Sequence, residues 1–214
     1  AFGMTCVILS DGIDLSVGST FALSAIICAE LIVKGVPTGL AILISLLVGT
    51  LLGVISGILV TKGRLQPFIA TLITMTAYRG LSMILTDGKP ISRLVASIET
   101  ESGQFLFKLI GKGNIEIGPA KNPWISIPIP VIILVIALVI FYFILHKTTF
   151  GRKIYATGSN AKCANLVGVN TSKTKIAVYA ISGFMAALAG LIMISRLDSA
   201  QPTLGDGFEL DAIA

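Results

Sequence analysis

Long apolar runs alternate with short polar connections along the whole chain. A helix needs about 20 apolar residues to cross a hydrocarbon core of about 30 Å. Five runs meet or nearly meet this length, and they predict membrane-spanning helices at Val17–Val33, Thr38–Val60, Leu65–Thr86, Pro123–Leu145 and Ile176–Ile194. The first is short, so we expect the preceding Leu15 and Ser16 to help it reach across. The pattern therefore predicts an all-α polytopic transmembrane bundle with at least five spans.

Composition supports a membrane environment, because 54% of the 214 residues are hydrophobic and 13% are charged. An ordinary soluble domain carries roughly a quarter charged residues. The net charge of +5 could indicate nucleic-acid binding, but the basic residues lie in short loops between apolar runs and form no continuous face. We therefore expect a lipid bilayer and no nucleic acid as the environment of this chain.

The distribution of lysine and arginine predicts which loops face the cytoplasm, because short cytoplasmic loops carry an excess of both. Residues 146–175 contain six basic residues and no acidic residue, and the turn Lys62–Arg64 is also basic. Both would lie on the cytoplasmic face. Residues 87–122 carry five basic and four acidic residues, a near balance that predicts an extracytoplasmic loop. Alternation then places the chain after Ile194 outside.

Small residues recur at every fourth position of the second predicted span. A stripe of this kind lets two membrane helices approach closely, so helix packing is the first interpretation and pore lining the second. The members of the stripe are Ser45, Gly49, Gly53 and Gly57.

A polar break, residues 11–19, interrupts the first apolar region with two carboxylates, two glycines and two serines. Facing lipid, these groups and the backbone amides would lack hydrogen-bond partners, so the break must face protein, a watery cavity or the interface. Broken helices at membrane depth often line transport paths. Asp11, Asp14, Ser16 and Ser19 are candidates either for a turn-forming scaffold or for a translocation pathway. Ser16 could also cap the following helix.

Four further polar residues are pathway candidates. Arg79 lies inside a predicted span, where an arginine near the centre costs about 2.5 to 3.5 kcal/mol, so it should pair inward or reach an interface. Gln66 precedes Pro67 at the entrance to the same span. Gln201 lies in the polar connection after the last span, which is either a plain loop or a substrate-facing segment. Glu209 follows Asp206 in what resembles the first turn of another helix.

The predicted cytoplasmic loop contains one short helix signal. Asn160 is a capping residue type, seven helix-compatible residues follow, and Gly168 is a stop signal. A helix this short is marginal alone in water, so it needs something to pack against. Ala161, Ala164, Leu166 and Val167 could meet a partner protein or the membrane surface, and the residues alone favour neither.

Covalent chemistry has no sequence support. The P-loop motif GxxxxGK[ST] is absent, so ATP would have to bind a separate protein. His146, the one histidine, lies at a basic span end, and Cys6, Cys28 and Cys163 lack metal-ligand spacing. We expect no catalytic residue, no metal and no cofactor.

Four motifs resemble those of the ribose-type ABC sugar permeases and occur in that family's order. They are GIDLSVGS (Gly12–Ser19), KGRLQPFIATL (Lys62–Leu72), GRKIYATGSNAKCANLVGVN (Gly151–Asn170) and SAQPTLGDGFELDAIA (Ser199–Ala214). The resemblance extends over essentially the whole chain. It implies that residues 1–214 are one permease domain, truncated at both ends, of a subunit with about ten spans in the bacterial inner membrane.

The same resemblance implies partners and a mechanism. Two permease copies, expected to be identical, would enclose the pathway between them. A periplasmic sugar-binding protein would dock outside, against residues 87–122, and an ABC ATPase subunit would bind inside. The residues that would form the ATPase-coupling loop are Gly151, Arg152, Asn160, Ala161, Ala164, Leu166 and Gly168. Ribose is favoured over galactose or xylose by the SAQPT and ELDAIA segments.

Two rival classes remain open. An ion-driven secondary transporter could use Asp11 and Asp14 as a cation or proton site in the broken helix. A membrane scaffold with no transport path would use the glycine stripe and the loop helix for packing alone. Both rivals make the same prediction for the fold, so transport assays have to separate them.

Overall fold

The structure, a computed structural model, describes residues 1–117 and 125–213. Eleven helices lie within these residues: α1 (Phe2–Leu9), α2 (Val17–Val33), α3 (Thr38–Thr61), α4 (Pro67–Thr86), α5 (Leu94–Ser97), α6 (Glu101–Lys112), α7 (Ile129–Lys147), α8 (Thr149–Ser159), α9 (Ala161–Leu166), α10 (Thr171–Leu197) and α11 (Phe208–Ile213). Four short strands complete them: β1 (Ile91–Ser92), β2 (Asn114–Ile117), β3 (Ile125–Pro128) and β4 (Ser199–Ala200). The fold is an all-α bundle, as the sequence predicts.

Helix α10 is the centre of the bundle and packs against α3, α2 and α1. In the described chain, α3, α4, α7 and α10 are long and apolar enough to cross a membrane, and α2 is a shorter apolar helix. Twelve of the 17 residues of α2 are buried, whereas Phe141 is the one residue described as buried in α7. Helix α2 therefore lies inside the bundle and α7 at its edge.

The predicted spans agree with the helices except at their ends. Helix α2 has the predicted bounds, but Leu15 and Ser16 do not extend it, and the Ser16 side chain does not cap it. The Ser16 hydroxyl instead donates a hydrogen bond to Asp14. Helix α4 begins two residues later than predicted, with Pro67 in its first turn, where a missing amide hydrogen costs nothing. Helix α10 begins five residues earlier, because Asn170 caps the polar first turn through the Lys173 amide at 2.9 Å.

The predicted start of the fourth span is wrong. Residues 125–128 form strand β3, which pairs antiparallel with β2, and α7 begins only at Ile129. Alternating isoleucines and a proline favour an extended chain before the helix, because proline restricts the residue that precedes it. Pro123 and Trp124, where the predicted span began, lie outside the described residues.

The two predicted loops contain more structure than the sequence indicates. Within residues 87–117 the amphipathic helix α6 buries Phe107, and its Gly111 lies against Ser195 of α10. Strand β1 pairs with β4, so Ile91 lies opposite Ala200. In the second loop α8 precedes the expected short helix and is capped by Thr148, which accepts a hydrogen bond from the Gly151 amide at 3.2 Å. Helix α6 of the first loop and α8 of the second both pack against α10.

Candidate functional site

The polar break separates two helices that are both packed against α10. Helix α1 ends at Leu9 and α2 begins at Val17. Asp14 lies in the break and is 2% exposed. Its carboxylate accepts hydrogen bonds from the Ser16 amide at 3.0 Å, the Ser16 hydroxyl at 2.6 Å and the Ser182 hydroxyl at 2.8 Å. The carboxylate therefore joins the break to α10.

Further hydroxyl groups extend these contacts to two more helices. The Ser16 and Ser56 hydroxyls are 3.4 Å apart, and Ser56 donates to Thr74 at 3.2 Å. We call Asp14, Ser16, Ser56, Thr74 and Ser182 the polar knot, and all five are buried. It connects the break to α3, α4 and α10. Because hydrogen bonds satisfy its polar groups within the protein, the knot is stable at membrane depth.

The depth of the polar knot follows from α10. Ser182 lies about 16 Å along this helix from Thr171, at 1.5 Å per residue, and the 27-residue helix is about 40 Å long. The Tyr179 hydroxyl, one turn earlier, donates to the Ile13 carbonyl at 3.0 Å. The part of the break from Asp14 to Ser19 is therefore inside the bundle and faces protein, one of the three environments that the sequence allowed, whereas Asp11 and Ile13 are exposed.

Asp11 and Asp14 do not share an environment. Asp11 is exposed, and its carbonyl oxygen accepts a hydrogen bond from Lys175 Nζ at 3.3 Å. Asp14 is enclosed by serine hydroxyls. Across residues 1–117 and 125–213, no cluster of three His, Cys, Asp or Glu residues could hold a metal ion. Of the two carboxylates, Asp14 alone is hydrogen-bonded to the serine hydroxyls described here.

Arg79 holds the polar connection that follows α10. One of its terminal nitrogens donates to the carbonyl oxygens of Pro202 at 2.7 Å and Leu204 at 3.0 Å. The other forms an ion pair with Asp206. The Arg79 side chain is 15% exposed and the Asp206 side chain is 58% exposed. The sequence allows Arg79 either to pair inward or to reach an interface, and the structure shows the first: its partners are a backbone turn and a carboxylate.

The same connection, residues 198–207, reaches the beginning of α2, and we call it the outer connection. A methyl group on Gly18 would overlap the Gly205 carbonyl oxygen and the Glu209 carboxylate. Glu209 is 7% exposed and lies in the first turn of α11, which begins at Phe208. At the beginning of the outer connection, the Asp198 side chain accepts a hydrogen bond from the Val95 amide at 2.8 Å. The outer connection therefore links the predicted outer loop to the broken helix.

The eight pathway candidates divide into three sets. Asp14, Ser16 and Ser19 belong together, since Ser19 donates to the Ser16 carbonyl at 2.9 Å. Arg79 and Glu209 meet the outer connection and the start of α2. The remaining three are exposed: Asp11 in the polar break, Gln66 before α4 and Gln201 in the outer connection. The residues that the sequence analysis missed are hydroxyls inside apolar helices, Ser56 and Ser182, and the polar break itself was the signal that such partners were needed.

The glycine stripe on α3 lies along α10. Side chains on Gly49, Gly53 and Gly57 would meet Ala187, the Tyr179 carbonyl and Ile176, respectively. At the end of the stripe, the Ser45 hydroxyl donates to the Ser24 carbonyl of α2 at 2.7 Å. The stripe faces α10, and its glycines let the backbones of α3 and α10 approach closely.

The coupling-loop candidates form a helical hairpin of α8 and α9. Gly151 is buried against the end of α7, and Arg152 is exposed. Asn160 caps α9 through the Cys163 amide at 3.0 Å, and Gly168 has φ = +86°, so both ends match the sequence signals. Ala161 is partly buried at the start of α9.

Ala164 is 4% exposed, so its side chain contacts other residues of this chain. Its burial is expected, because a helix as short as α9 is stable only when one face packs against the rest of the protein. Leu166 and Val167 at the tip are 87% and 79% exposed.

Comparison with known proteins identifies relatives across the whole chain. A family model described as branched-chain amino acid transport system / permease component matches residues 1–214. The chain is 49% identical over all its residues to the ribose import permease protein RbsC of Bacillus subtilis and 48% identical to that of Haemophilus influenzae, covering 62% of each. It is 37% identical to the L-arabinose transport system permease protein AraH of Escherichia coli, covering 60%. No solved structure gives a significant match.

The chain thus spans less than two thirds of the length of these relatives. Its span-length apolar helices and its permease relatives make it a multi-pass protein of the bacterial inner membrane. On the match over residues 1–214, the chain belongs to the family of branched-chain amino acid transport system permease components.

Proposed function

We propose that this chain forms part of the pathway-forming permease subunit of an ATP-driven importer for ribose or a related monosaccharide. The observation that carries the proposal is the similarity of all 214 residues to ribose import permeases. The chain would perform no covalent chemistry itself. ATP hydrolysis would belong to a separate cytoplasmic ATPase, whose binding favours one of two permease conformations.

Uptake of radiolabelled sugar tests this function directly. Membrane vesicles with the complete set of subunits should accumulate ribose when ATP is supplied, and accumulation should persist after ionophores collapse the ion gradients. Uptake that survives ATP depletion but stops with the ionophore would establish the ion-driven rival. A scaffold would move no sugar under either condition.

The contact between the broken helix and the outer connection is our candidate for the pathway wall. Two features support it: the start of α2 lies inside the bundle beside Gly205 and Glu209, and Arg79 holds the adjoining backbone turn. Interrupted helices and backbone turns occur at membrane depth where they line a path or are enclosed by protein. We infer that the outer connection shifts relative to α2 when the pathway opens, and that Arg79 sets its resting position.

Replacing Arg79 with glutamine is therefore expected to lower sugar uptake by about tenfold, because the charged hydrogen bonds to the Pro202 and Leu204 carbonyls and the ion pair with Asp206 are lost. The measurement is the initial rate of uptake, normalised to the amount of permease in the membrane. Arg196→Gln is the matched control, since Arg196 is exposed at the end of α10. Equal uptake by the two variants would remove Arg79 from the mechanism.

The α8–α9 hairpin is our candidate for the ATPase contact. Its exposed tip, Leu166 and Val167, offers apolar side chains on the predicted cytoplasmic face, and Gly168 ends the helix with a backbone conformation suited to glycine. A periplasmic sugar-binding protein would dock on residues 87–122 of the opposite face. A second permease copy, expected to be identical, would complete the pathway.

Charging the tip of this hairpin is expected to uncouple ATP hydrolysis from transport. In Leu166→Glu the carboxylate would be desolvated on ATPase binding, so uptake should fall at least about tenfold while the permease remains in the membrane. Leu197→Glu is the control, because Leu197 is exposed at the opposite end of the bundle. Sugar-stimulated ATP hydrolysis and uptake are measured in the same vesicles. Unchanged coupling in Leu166→Glu would contradict the assignment.

A further inference from the structure

A cavity opens where the basic turn between α3 and α4 meets the start of α10. Its volume is about 340 Å³, and the residues that line it include Thr61, Arg64, Gln66, Ser172 and Lys175. We call it the basic pocket. Two of its side chains are cationic, and none of the described residues that line it is acidic. The lining therefore favours a negatively charged ligand.

The two cations of the basic pocket are not neutralised by carboxylates. Neither Arg64 nor Lys175 forms an ion pair within residues 1–117 and 125–213. Lys175 Nζ instead donates a hydrogen bond to the carbonyl oxygen of Asp11 at 3.3 Å, and a carbonyl group carries no net charge that would neutralise the ammonium group. Arg64 is exposed at the mouth of the pocket. An anion that contacts both side chains would supply the missing negative charge.

The backbone of the α3–α4 turn fixes the position of Arg64. Its φ is +53°, a left-handed conformation that is uncommon for arginine. A methyl group on the preceding Gly63 would overlap the Leu59 carbonyl oxygen, so the chain turns tightly at the end of α3. Residues in such conformations persist where the surrounding structure holds them, and they occur often at ligand sites. The turn therefore holds Arg64 at the wall of the basic pocket.

The surroundings of the basic pocket favour a lipid over a soluble anion. Helix α4 has 20 residues and is about 30 Å long, the thickness of the hydrocarbon core, so the pocket at its beginning lies at the level of the headgroups. Leu65 lines the pocket, and an apolar face of α4 continues from it. The members of this face, Phe68, Ile69, Leu72 and Ile73, are each at least 42% exposed. This face offers acyl chains a surface that leads to the pocket.

We propose that the basic pocket binds the phosphodiester headgroup of an anionic phospholipid in the cytoplasmic leaflet. Arg64 and Lys175 donate charged hydrogen bonds to the phosphate oxygens, and Ser172 and Gln66 add neutral donors. A zwitterionic lipid binds less tightly, because its own cationic group is added to a site that already contains two positive charges. A bound headgroup joins the α3–α4 turn to the start of α10. This site depends on the bilayer and not on the identity of the transported sugar.

Native mass spectrometry of the purified full-length permease tests the proposal. Phosphatidylglycerol or phosphatidylethanolamine with identical acyl chains is added after delipidation, and phosphatidylglycerol should bind about tenfold more tightly. Arg64→Gln and Lys175→Gln should each weaken binding of phosphatidylglycerol several-fold and leave that of phosphatidylethanolamine nearly unchanged. Arg64→Lys retains the positive charge and should retain the preference. Equal binding of the two lipids by the wild type would overturn the proposal.

Lys153→Gln is the matched control for a general attraction of lipid to the basic face. Lys153 is exposed on α8, on the same predicted cytoplasmic face, and it does not line the basic pocket. This variant should bind phosphatidylglycerol as the wild type does. If it lost as much binding as Arg64→Gln, or if Arg64→Gln and Lys175→Gln both bound phosphatidylglycerol normally, the lipid would recognise the face as a whole and the pocket would not be its site.

Two further measurements distinguish the lipid from other occupants. Soluble glycerol phosphate should compete with phosphatidylglycerol only at much higher concentration, because it lacks acyl chains. Competition at equal concentration would overturn the lipid assignment in favour of a soluble anion. The third possible occupant is an acidic segment of the ATPase. Equal binding of both lipids, together with ATPase binding that is weakened in Arg64→Gln but not in Lys153→Gln, would assign the pocket to that segment instead.

Discussion

Replacing Gly53 with valine is expected to separate α3 from α10 and to prevent stable assembly of the bundle. A side chain at position 53 would occupy the space of the Tyr179 backbone carbonyl, which no rotamer change can move. Overpacking typically costs 1 to 3 kcal/mol and more where backbone must shift, so we expect a loss of about 3 kcal/mol or more. For a chain of this size, the melting temperature would fall by roughly 10 °C.

Gly80→Val provides the matched control for this experiment. Gly80 lies inside the membrane helix α4, and a side chain there meets nothing within 4 Å. The free energy of unfolding should therefore change little. Thiol-reactive dye labelling of the buried Cys6 and Cys28 reports unfolding in detergent, after the exposed Cys163 is replaced by serine. Equal melting temperatures for the two valine variants would show that the α3–α10 contact does not stabilise the bundle.

Helix spans were predictable from the sequence because membrane insertion demands long apolar segments regardless of tertiary detail. The bounds of α2 agree with the prediction, and α3 is one residue longer. The predicted helix ends are wrong in two situations: where polar residues belong to a helix, and where apolar residues adopt another structure. The first turn of α10 is polar and capped by Asn170, and the apolar residues of β3 form a hairpin arm instead of a helix.

The loops were predictable only in part, because their structure depends on surfaces far away in the sequence. Helix α9 has local cap and stop signals, Asn160 and Gly168, and these appear in the structure. Helix α6 has a helical pattern, but its position depends on Gly111 resting against Ser195 of α10. Hydropathy carries no information about such a contact. The pairing of β1 with β4 likewise depends on how the bundle positions the segments that follow α4 and α10.

The polar break illustrates the same limit within the candidate site. The sequence showed that Asp14 needed partners, but several serines in apolar helices could have supplied them. Ser182 becomes the partner of Asp14 because α10 packs beside the break. Ser56 joins them because this part of α3 lies next to Ser16. The stripe on α3 and the break are thus linked, since close approach of α3 and α10 brings the members of the polar knot together.

Asp14→Ala is expected to destabilise the bundle, although the Asp14 side chain contributes almost nothing to its exposed surface. The substitution leaves the Ser16 amide and the Ser182 hydroxyl without acceptors, and it leaves the Ser16 hydroxyl with only the Ser56 hydroxyl at 3.4 Å. Each buried donor left unpaired costs about 1 to 3 kcal/mol, so the free energy of unfolding should fall by about 4 kcal/mol. Dye labelling of Cys6 and Cys28 should show a melting temperature lower by roughly 10 °C.

Asp11→Ala separates this structural effect from a loss of negative charge in the break. The Asp11 side chain is exposed. Its backbone has a positive φ of 58°, which alanine adopts less readily, so we expect the free energy of unfolding to fall by only about 1 to 2 kcal/mol. A double substitution, Asp14→Ala with Ser182→Ala, should destabilise less than the sum of its parts, because one stranded donor is removed together with its acceptor. Two results would show that the polar knot does not connect the broken helix to α10. One is equal melting temperatures for the two aspartate variants. The other is a loss of unfolding free energy in the double variant that equals the sum of the losses in the single variants. A fall in sugar uptake in Asp14→Ala without any loss of stability would instead make Asp14 a pathway residue.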